Sequence, residues 1–220
     1  MKYILLCFLI SAEANLSLVN TIVNPYPCYS LVNSVDFHPK ENLFCATYTH
    51  GNQVVLYKLD GEGTSSIIQS LDNPSACFSE PQHAVFSPDG ETIMYSSRKR
   101  LMLRIIKTGA DKIMVDDDKV KELPKWSPDG KWVTYQASTG GANATYDIYK
   151  AEVSTGKVTK LTDNQGLDAN PSFDKTGKKI IYVTTPEGVT PGNRLCIMDA
   201  DGSNKKIDPT SPPNCWLPVF

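Results

Sequence analysis

At 220 residues, with 40% hydrophobic and 21% charged residues and a formal net charge of -2, the chain is large and apolar enough to bury a sizeable core, and it reads as a single domain over 1–220. So even a balance of charge excludes a global field for gathering nucleic acid or an anionic membrane surface, and nucleic acid is not an expected partner. No apolar run is long enough to cross a bilayer, so no integral membrane segment is expected.

The N-terminus admits two readings. Lys2, the apolar run Tyr3 to Ile10 and the triplet Ala12-Glu13-Ala14 have the parts of a short secretory signal over 1–14, which would place the protein in the periplasm or outside the cell. Against this stands a gap-free shift of 49 residues. It lays Leu5-Leu6-Cys7-Phe8 on Val54-Val55-Leu56-Tyr57, Leu18-Val19 on Ile67-Ile68, Asn24-Pro25 on Asn73-Pro74, Cys28 on Cys77 and Phe37 on Phe86. A register kept over so many positions favours two leading strands of a repeat within 1–34, and with them a cytoplasmic location.

From there an aromatic residue followed by a tight turn recurs four times: Phe37-His38-Pro39, Phe86-Ser87-Pro88-Asp89-Gly90, Trp126-Ser127-Pro128-Asp129-Gly130 and Phe173-Asp174-Lys175-Thr176-Gly177. The steps are 49, 40 and 47 residues, and one more of 47 reaches Phe220, giving repeats over 35–84, 85–124, 125–171 and 172–218. Ser-Pro-Asp-Gly suits a type I turn, in which Pro presets φ, Asp tolerates the third position and Gly accepts the left-handed conformation after it. Beyond each turn apolar residues alternate. Phe44 and Ala46, Ile93 and Tyr95, Val133 and Tyr135, and Ile180 and Tyr182 share the same offsets from their aromatic, which predicts one packing layer in successive units. A third strand is predicted in Val54 to Leu59, Leu103 to Ile106, Asp147 to Ala151 and Leu195 to Met198. After a second turn (Asp60-Gly61, Thr108-Gly109, Thr155-Gly156, Asp201-Gly202), a fourth follows in Ser65 to Leu71, Lys112 to Val115, Lys157 to Leu161 and Lys205 to Ile207.

Four strands per unit, with no helical periodicity, predict an all-β chain. A repeat of this length cannot bury both faces of its sheet without neighbours, which points to a β-propeller of four-stranded antiparallel blades. Four complete blades, the leading strands and a trailing strand in Cys215 to Phe220 make it a small or truncated one. An open fan would leave terminal blades exposed and favour self-association.

Little of the sequence is left for chemistry. The cysteines at 7, 28, 45, 77, 196 and 215 follow no metal-ligand spacing and are expected to be reduced structural thiols. The Gly-x-Ser-x-Gly of a serine hydrolase is absent. Of three histidines, His38 reads as lying in a turn and His83 just before a strand, both structural. Asp116-Asp117-Asp118 lacks the alternation of a calcium loop and is crowded by Lys119 and Lys121, so it reads as a solvated loop. Gly61-Glu62-Gly63 is a turn. The basic group Arg98-Lys99-Arg100 with Arg104, in and after the loop between second and third strands, could meet a carboxylate or phosphate or be a charged surface. No metal, cofactor or catalytic residue is expected.

Two stretches carry a family resemblance. One runs through Lys160-Leu161-Thr162, Asp168-Ala169-Asn170-Pro171-Ser172-Phe173, Lys178-Lys179-Ile180-Ile181-Tyr182 and Ile197-Met198-Asp199-Ala200-Asp201-Gly202-Ser203-Asn204. The other is Pro124-Lys125-Trp126-Ser127-Pro128-Asp129-Gly130-Lys131-Trp132-Val133 with Asp147-Ile148-Tyr149. Both resemble the WD-like repeat of TolB-type propellers, well over about residues 80 to 220 and more loosely before, where Phe37-His38-Pro39 lacks the Asp-Gly pair. The resemblance implies a propeller of more blades than this chain has repeats, used as a binding platform.

In a propeller one end collects the loops from second to third strand and those joining blades. Binding is therefore expected around 48–52, 98–100, 138–145, 163–170 and 186–194, with His50, Asn52, Arg98, Lys99, Arg100, Asn143, Asp168, Asn170 and Arg194 as candidates. Loops rich in Gly, Asn, Asp and Thr suit a protein or peptide surface, so the expected function is a non-enzymatic interaction scaffold. The alternative is the propeller portion of an enzyme, either the gating domain of a prolyl-oligopeptidase-like peptidase or a metal-dependent propeller hydrolase.

Overall fold

The computed structural model describes residues 32–48, 53–60, 65–70, 81–139, 145–163, 166–185 and 192–211. The strands expected in Tyr3–Val23 and Cys215–Phe220, the Gly61-Glu62-Gly63 turn and the cysteines at 7, 28, 77 and 215 lie outside these residues.

The described chain is all β. The first sheet is β1 (Val32–Phe37), β2 (Leu43–Tyr48), β3 (Gln53–Leu59) and β4 (Ser65–Ser70); the second is β5 (Pro81–Phe86), β6 (Thr92–Ser97), β7 (Arg100–Ile105) and β8 (Ala110–Asp116). The third is β9 (Val120–Trp126), β10 (Trp132–Ser138), β11 (Asp147–Glu152) and β12 (Val158–Lys160); the fourth is β13 (Asp168–Phe173), β14 (Lys179–Thr184), β15 (Arg194–Asp199) and β16 (Lys206–Ile207). Each sheet is antiparallel with its strands side by side in chain order. Each recurring aromatic closes the first strand of its sheet. Those first strands, β1, β5, β9 and β13, pack on one another in series, so they are the innermost and the sheets radiate from them as blades.

Alternation decides which side chains meet between blades. Cys45, Val54 and Leu56 of the first sheet pack on Phe86, Ile93 and Tyr95 of the second. Met94, Leu101 and Val115 of the second meet Val133, Tyr135 and Ala151 of the third, and Ile148 and Leu161 of the third meet Phe173, Ile180 and Tyr182 of the fourth. The pairs predicted to share a layer are all buried, Ile93, Val133 and Ile180 completely. Burying each such side chain contributes about 1.5–3 kcal/mol, which makes these interfaces the main source of cohesion.

The two outer faces of the array differ from the expectation of exposed terminal blades. On the first sheet Phe44, Tyr48 and Tyr57 are buried, with Phe44 stacked on Tyr57 at 4.7 Å and the two tyrosine hydroxyls 2.5 Å apart. On the fourth, Ile181 and Val183 are likewise buried. Four of the five exposed isoleucines among the described residues sit instead on outermost strands, Ile67, Ile68, Ile113 and Ile207, and the fifth, Ile105, closes β7. Cys45 and Cys196 are free and buried, as small hydrophobic side chains.

The turns after the aromatics also stack. In the second, third and fourth, the glycine amide donates to the first turn carbonyl at 2.9 Å (Gly90 to Ser87, Gly130 to Ser127, Gly177 to Asp174). The Ser87 hydroxyl donates to Asp89 Oδ1 (2.5 Å) and accepts from the Thr92 amide (3.0 Å); Ser127 repeats this with Asp129 (2.6 Å) and Trp132 (2.9 Å). Gly90 has φ +82° and a Cβ there would fall 2.1 Å from His38 Nε2, so any other residue at this position is strained and must displace the imidazole. His38 accepts at Nδ1 from the amides of Lys40 (3.2 Å) and Glu41 (2.9 Å), which leaves the proton on Nε2 to donate to Gly90 O (3.0 Å). His38 is a structural histidine that joins two blades.

Candidate partner-binding face

Strands alternate in direction, so the second-to-third and fourth-to-first connections all emerge at the end opposite the stacked turns. The best-defined part of that face is on the second and third sheets. Arg98 and Lys99 form a two-residue hairpin between β6 and β7, with Ser97 paired to Arg100 and Arg98 at φ +52°. The hairpin is fixed from behind. The Lys121 amide donates to Arg98 O (2.8 Å), and the fully buried Lys121 ammonium donates to Lys99 O (2.5 Å), Asp117 Oδ1 (2.5 Å) and Lys119 O (2.9 Å).

Burial pushes Lys121 below its usual lysine range despite the opposing effect of Asp117. Burial also acts to raise Asp117, but the hydrogen bonds from Lys121 and the Lys119 amide outweigh it and hold that carboxyl below its usual range. Asp116-Asp117-Asp118 is therefore not merely a solvated loop, since its middle carboxylate neutralises a buried lysine. Arg100 pairs with Asp116 at 2.9 Å, both about half exposed. The side chains of Arg98 and Lys99 are exposed, with no ion pair among the described residues.

Arg104 does not belong to this group. It lies four residues along β7, near the stacked-turn end, where its guanidinium grips Asp111 of β8 through two hydrogen bonds (2.7 and 2.5 Å), side-chain exposure 7%, with Tyr95 donating to the same carboxylate at 3.2 Å. It is an internal cross-strand clamp.

Between the third and fourth sheets the face is tied by amide chemistry. Gln136 donates through Nε2 to Glu122 (3.0 Å) and accepts at Oε1 from the Asn170 amide (2.8 Å). Asn170 lies within β13 at φ +53°. His83 in β5 and Leu123 in β9 occupy the same place, three residues before the aromatic, at φ +54° and +53°. These are bulges where the inner strands' registers shift, and they re-aim the strand ends beside the axis. His83 is thus inside a strand rather than just before one. Burial, reinforced by the Lys125 charge, pushes its pKa down to about 4, so it is neutral at physiological pH. Near it Asp36 accepts from the Phe86 amide of the next blade (2.7 Å); burial raises this carboxyl, with that amide and Lys125 acting against the rise.

The other expected site residues divide. Asp168 is a correction: it is the first residue of β13 rather than a loop residue, and at 0% exposure it is closed to a partner's touch. Arg194 opens β15, half buried, beside Asn193, whose Oδ1 lies 2.7 Å from the Thr185 hydroxyl. His50, Asn52 and Asn143 lie outside the described residues. The sequence reading missed Lys121, Glu122 and Gln136. The one signal for Lys121 was an aspartate four positions before it.

Neither described histidine hydrogen-bonds to a serine, threonine or cysteine side chain, and the described residues hold no group of three His, Cys, Asp or Glu arranged for a metal. No helix among them is long and apolar enough to cross a membrane.

Comparison with known proteins agrees with this architecture. "Tol-Pal system protein TolB" of Francisella tularensis subsp. mediasiatica is 40% identical over 76 residues, 34% of this chain but only 17% of that protein's length. The crystal structure of TolB from Acinetobacter baumannii superposes with a TM-score of 0.63 at 22% identity, covering 81% of this chain and 43% of that one. An oligogalacturonate lyase in complex with manganese superposes with a TM-score of 0.61 at 12% identity, over 78% of this chain and 50% of its own. At such identities these structures share the fold alone, and the chain spans well under two thirds of the relatives it matches. The family model of the TolB beta propeller domain matches residues 48–207, most of the four sheets described above, and the chain belongs to that family.

Proposed function

We propose that this chain is a non-enzymatic scaffold that binds a protein or peptide partner on the face built from the second-to-third hairpins and the inter-blade connections. The observation that carries this reading is the Arg98-Lys99 hairpin, two exposed cations without described counter-ions, on a turn whose carbonyls are held by the buried Lys121. A rigid support reduces the ordering cost of association, and exposed arginine and lysine suit carboxylates on a partner, so acidic segments are the preferred ligands. Arg100 and Arg194 flank or extend this surface, and Asn170 fixes the backbone beside it. The enzymatic alternative draws only on shared fold, which carries no activity with it.

A displayed library of random peptides, selected on the protein, tests the reading. Acidic peptides should be enriched, and the double variant Arg98→Glu/Lys99→Glu should bind them at least about tenfold more weakly, about 1.4 kcal/mol. Lys112→Glu, on the outer strand β8, should leave them unaffected. Peptides bound equally by both variants would place the site elsewhere.

A further inference from the structure

The contact between neighbouring blades repeats position by position, and one interface breaks the repeat. The amides of Leu59, Ile106, Val153 and Ala200 make the same bond, to the carbonyls of Asn42 (2.7 Å), Glu91 (3.0 Å), Lys131 (2.9 Å) and Lys178 (2.9 Å), so these four residues are structurally equivalent. Ile106, Val153 and Ala200 pack toward the preceding blade. Strand register makes Leu56, Leu103 and Lys150 equivalent as well, each two residues before the partner of the second strand's first residue. The first interface thus has Leu56 and Ile106, the second Leu103 and Val153, and the third Lys150 and Ala200. The leading residue of the second strand is Leu43, then Thr92, then Trp132.

At the third interface aliphatic bulk has been exchanged for a lysine, a tryptophan and a small residue, and a cleft of about 360 Å³ opens there. The Lys150 ammonium lies 4.5 Å from the centre of the Trp132 ring and donates to Ala200 O. Phe173, Pro128 and Thr176 complete the walls. Asp129, on the rim, has its carboxylate engaged by the Ser127 hydroxyl (2.6 Å) and the Lys131 amide (3.1 Å). No carboxylate of the described residues is within ion-pairing distance of Lys150. Blade cohesion alone favours the aliphatic pairs of the other two interfaces, since a half-buried ammonium gives up solvation and the cleft gives up dispersion contacts.

We propose that this cleft binds a small carboxylate with a flat apolar body, the carboxylate on Lys150 Nζ and the body against Trp132, Phe173 and Pro128. Charge complementarity selects the acid, and the aromatic and proline walls select the body. The site lies at the stacked-turn end, remote from the Arg98-Lys99 face, and does not depend on that reading. Such carboxylates come as free acids or as the C-terminal aromatic residue of a peptide.

Ligand-observed NMR on the full chain tests the proposal with 3-phenylpropionate, its neutral amide and N-acetylphenylalanine. The acid should bind saturably at about millimolar concentration, as expected for a ligand of this size, and the amide about tenfold more weakly. Lys150→Leu and Ala200→Val each install a residue that another blade carries at that position; both should keep the thermal midpoint or raise it. Lys150→Leu should weaken the acid about tenfold, and Ala200→Val should abolish its binding by filling the cleft. N-acetylphenylalanine binding more tightly than 3-phenylpropionate supports a peptide terminus as the source, and the reverse supports a free acid. Absence of saturable binding, or binding that survives both substitutions, overturns the proposal.

Discussion

At the stacked-turn end of the sheets, Ser87 and Ser127 hold equivalent partners at nearly equal distances, whereas at the opposite end equivalent positions carry Lys121 and Asp168, both buried and of opposite charge. The two Ser-Pro-Asp-Gly turns agree because each turn stacks on its neighbour and a side chain in the wrong place there would disrupt two blades; His38 and Asp174 hold the corresponding place in the first and fourth turns. At the other end the equivalent positions differ in chemistry, and each makes its own local contacts. In a repeat scaffold, divergence at equivalent positions therefore marks where to look for binding. The Lys150 and Ala200 exchange is a departure of the same kind inside an interface at the stacked-turn end.

The comparison breaks most visibly at Asp117. Asp117→Asn leaves the Lys121 ammonium buried against two carbonyls without its counter-charge. Losing one partner of a fully buried pair costs about 3–5 kcal/mol; because Asp117 is a third exposed, about 2–3 is expected, or about 5–10 °C in thermal midpoint. Asp118→Asn, at a side chain 78% exposed, should stay within about 0.5 kcal/mol. Equal effects at the two aspartates would remove the claim that this end is held by one buried lysine.

What the sequence could show follows the same division. Period-two alternation placed Ile93, Tyr95, Val133, Tyr135, Ile180 and Tyr182 in one buried layer, because a half-buried strand has no other way to satisfy its apolar side chains. Proximity along the chain groups Arg104 with Arg98-Lys99-Arg100, but four residues of extended strand are about 13 Å, enough to carry it toward the far end of the blade. Lys121 read as a surface residue because lysines nearly always are. The left-handed bulges at His83, Leu123 and Asn170 gave no signal, since none is glycine and the strain is supported by neighbours that only the fold brings together.

A second pair of substitutions sharpens the account of the stacked-turn end. Gly130→Ala forces an alanine into φ +69° with the nearest Pro88 Cδ at 3.9 Å, so strain alone should cost about 1–2 kcal/mol. Gly90→Ala meets similar strain and also drives a methyl against His38 Nε2, displacing the imidazole from Gly90 O; chemical denaturation should show about 1 kcal/mol more for it. If His38→Ala makes Gly90→Ala no milder, the two residues are not coupled as described.

The smallest effect is a pH dependence. Asp89 and Asp129 are held below the usual carboxylate range first by the hydroxyls of Ser87 and Ser127 and then by the amides of Glu91 and Lys131. A carboxyl whose folded pKa is depressed contributes stability that is complete above the unfolded value of about 3.9 and is lost as pH falls through the folded one. Ser127→Ala removes the first of these donors together with a buried hydroxyl, which should cost about 1 kcal/mol at neutral pH. That deficit should narrow as pH falls below about 4, where the unfolded chains and the variant's less depressed carboxyl take up a proton before the folded wild-type carboxyl does, and it should close once the folded wild-type carboxyl is protonated as well. Unfolding curves for both proteins at pH 7 and pH 3 decide the matter, because a deficit unchanged between them would trace the loss to packing of the turn rather than to its carboxylate.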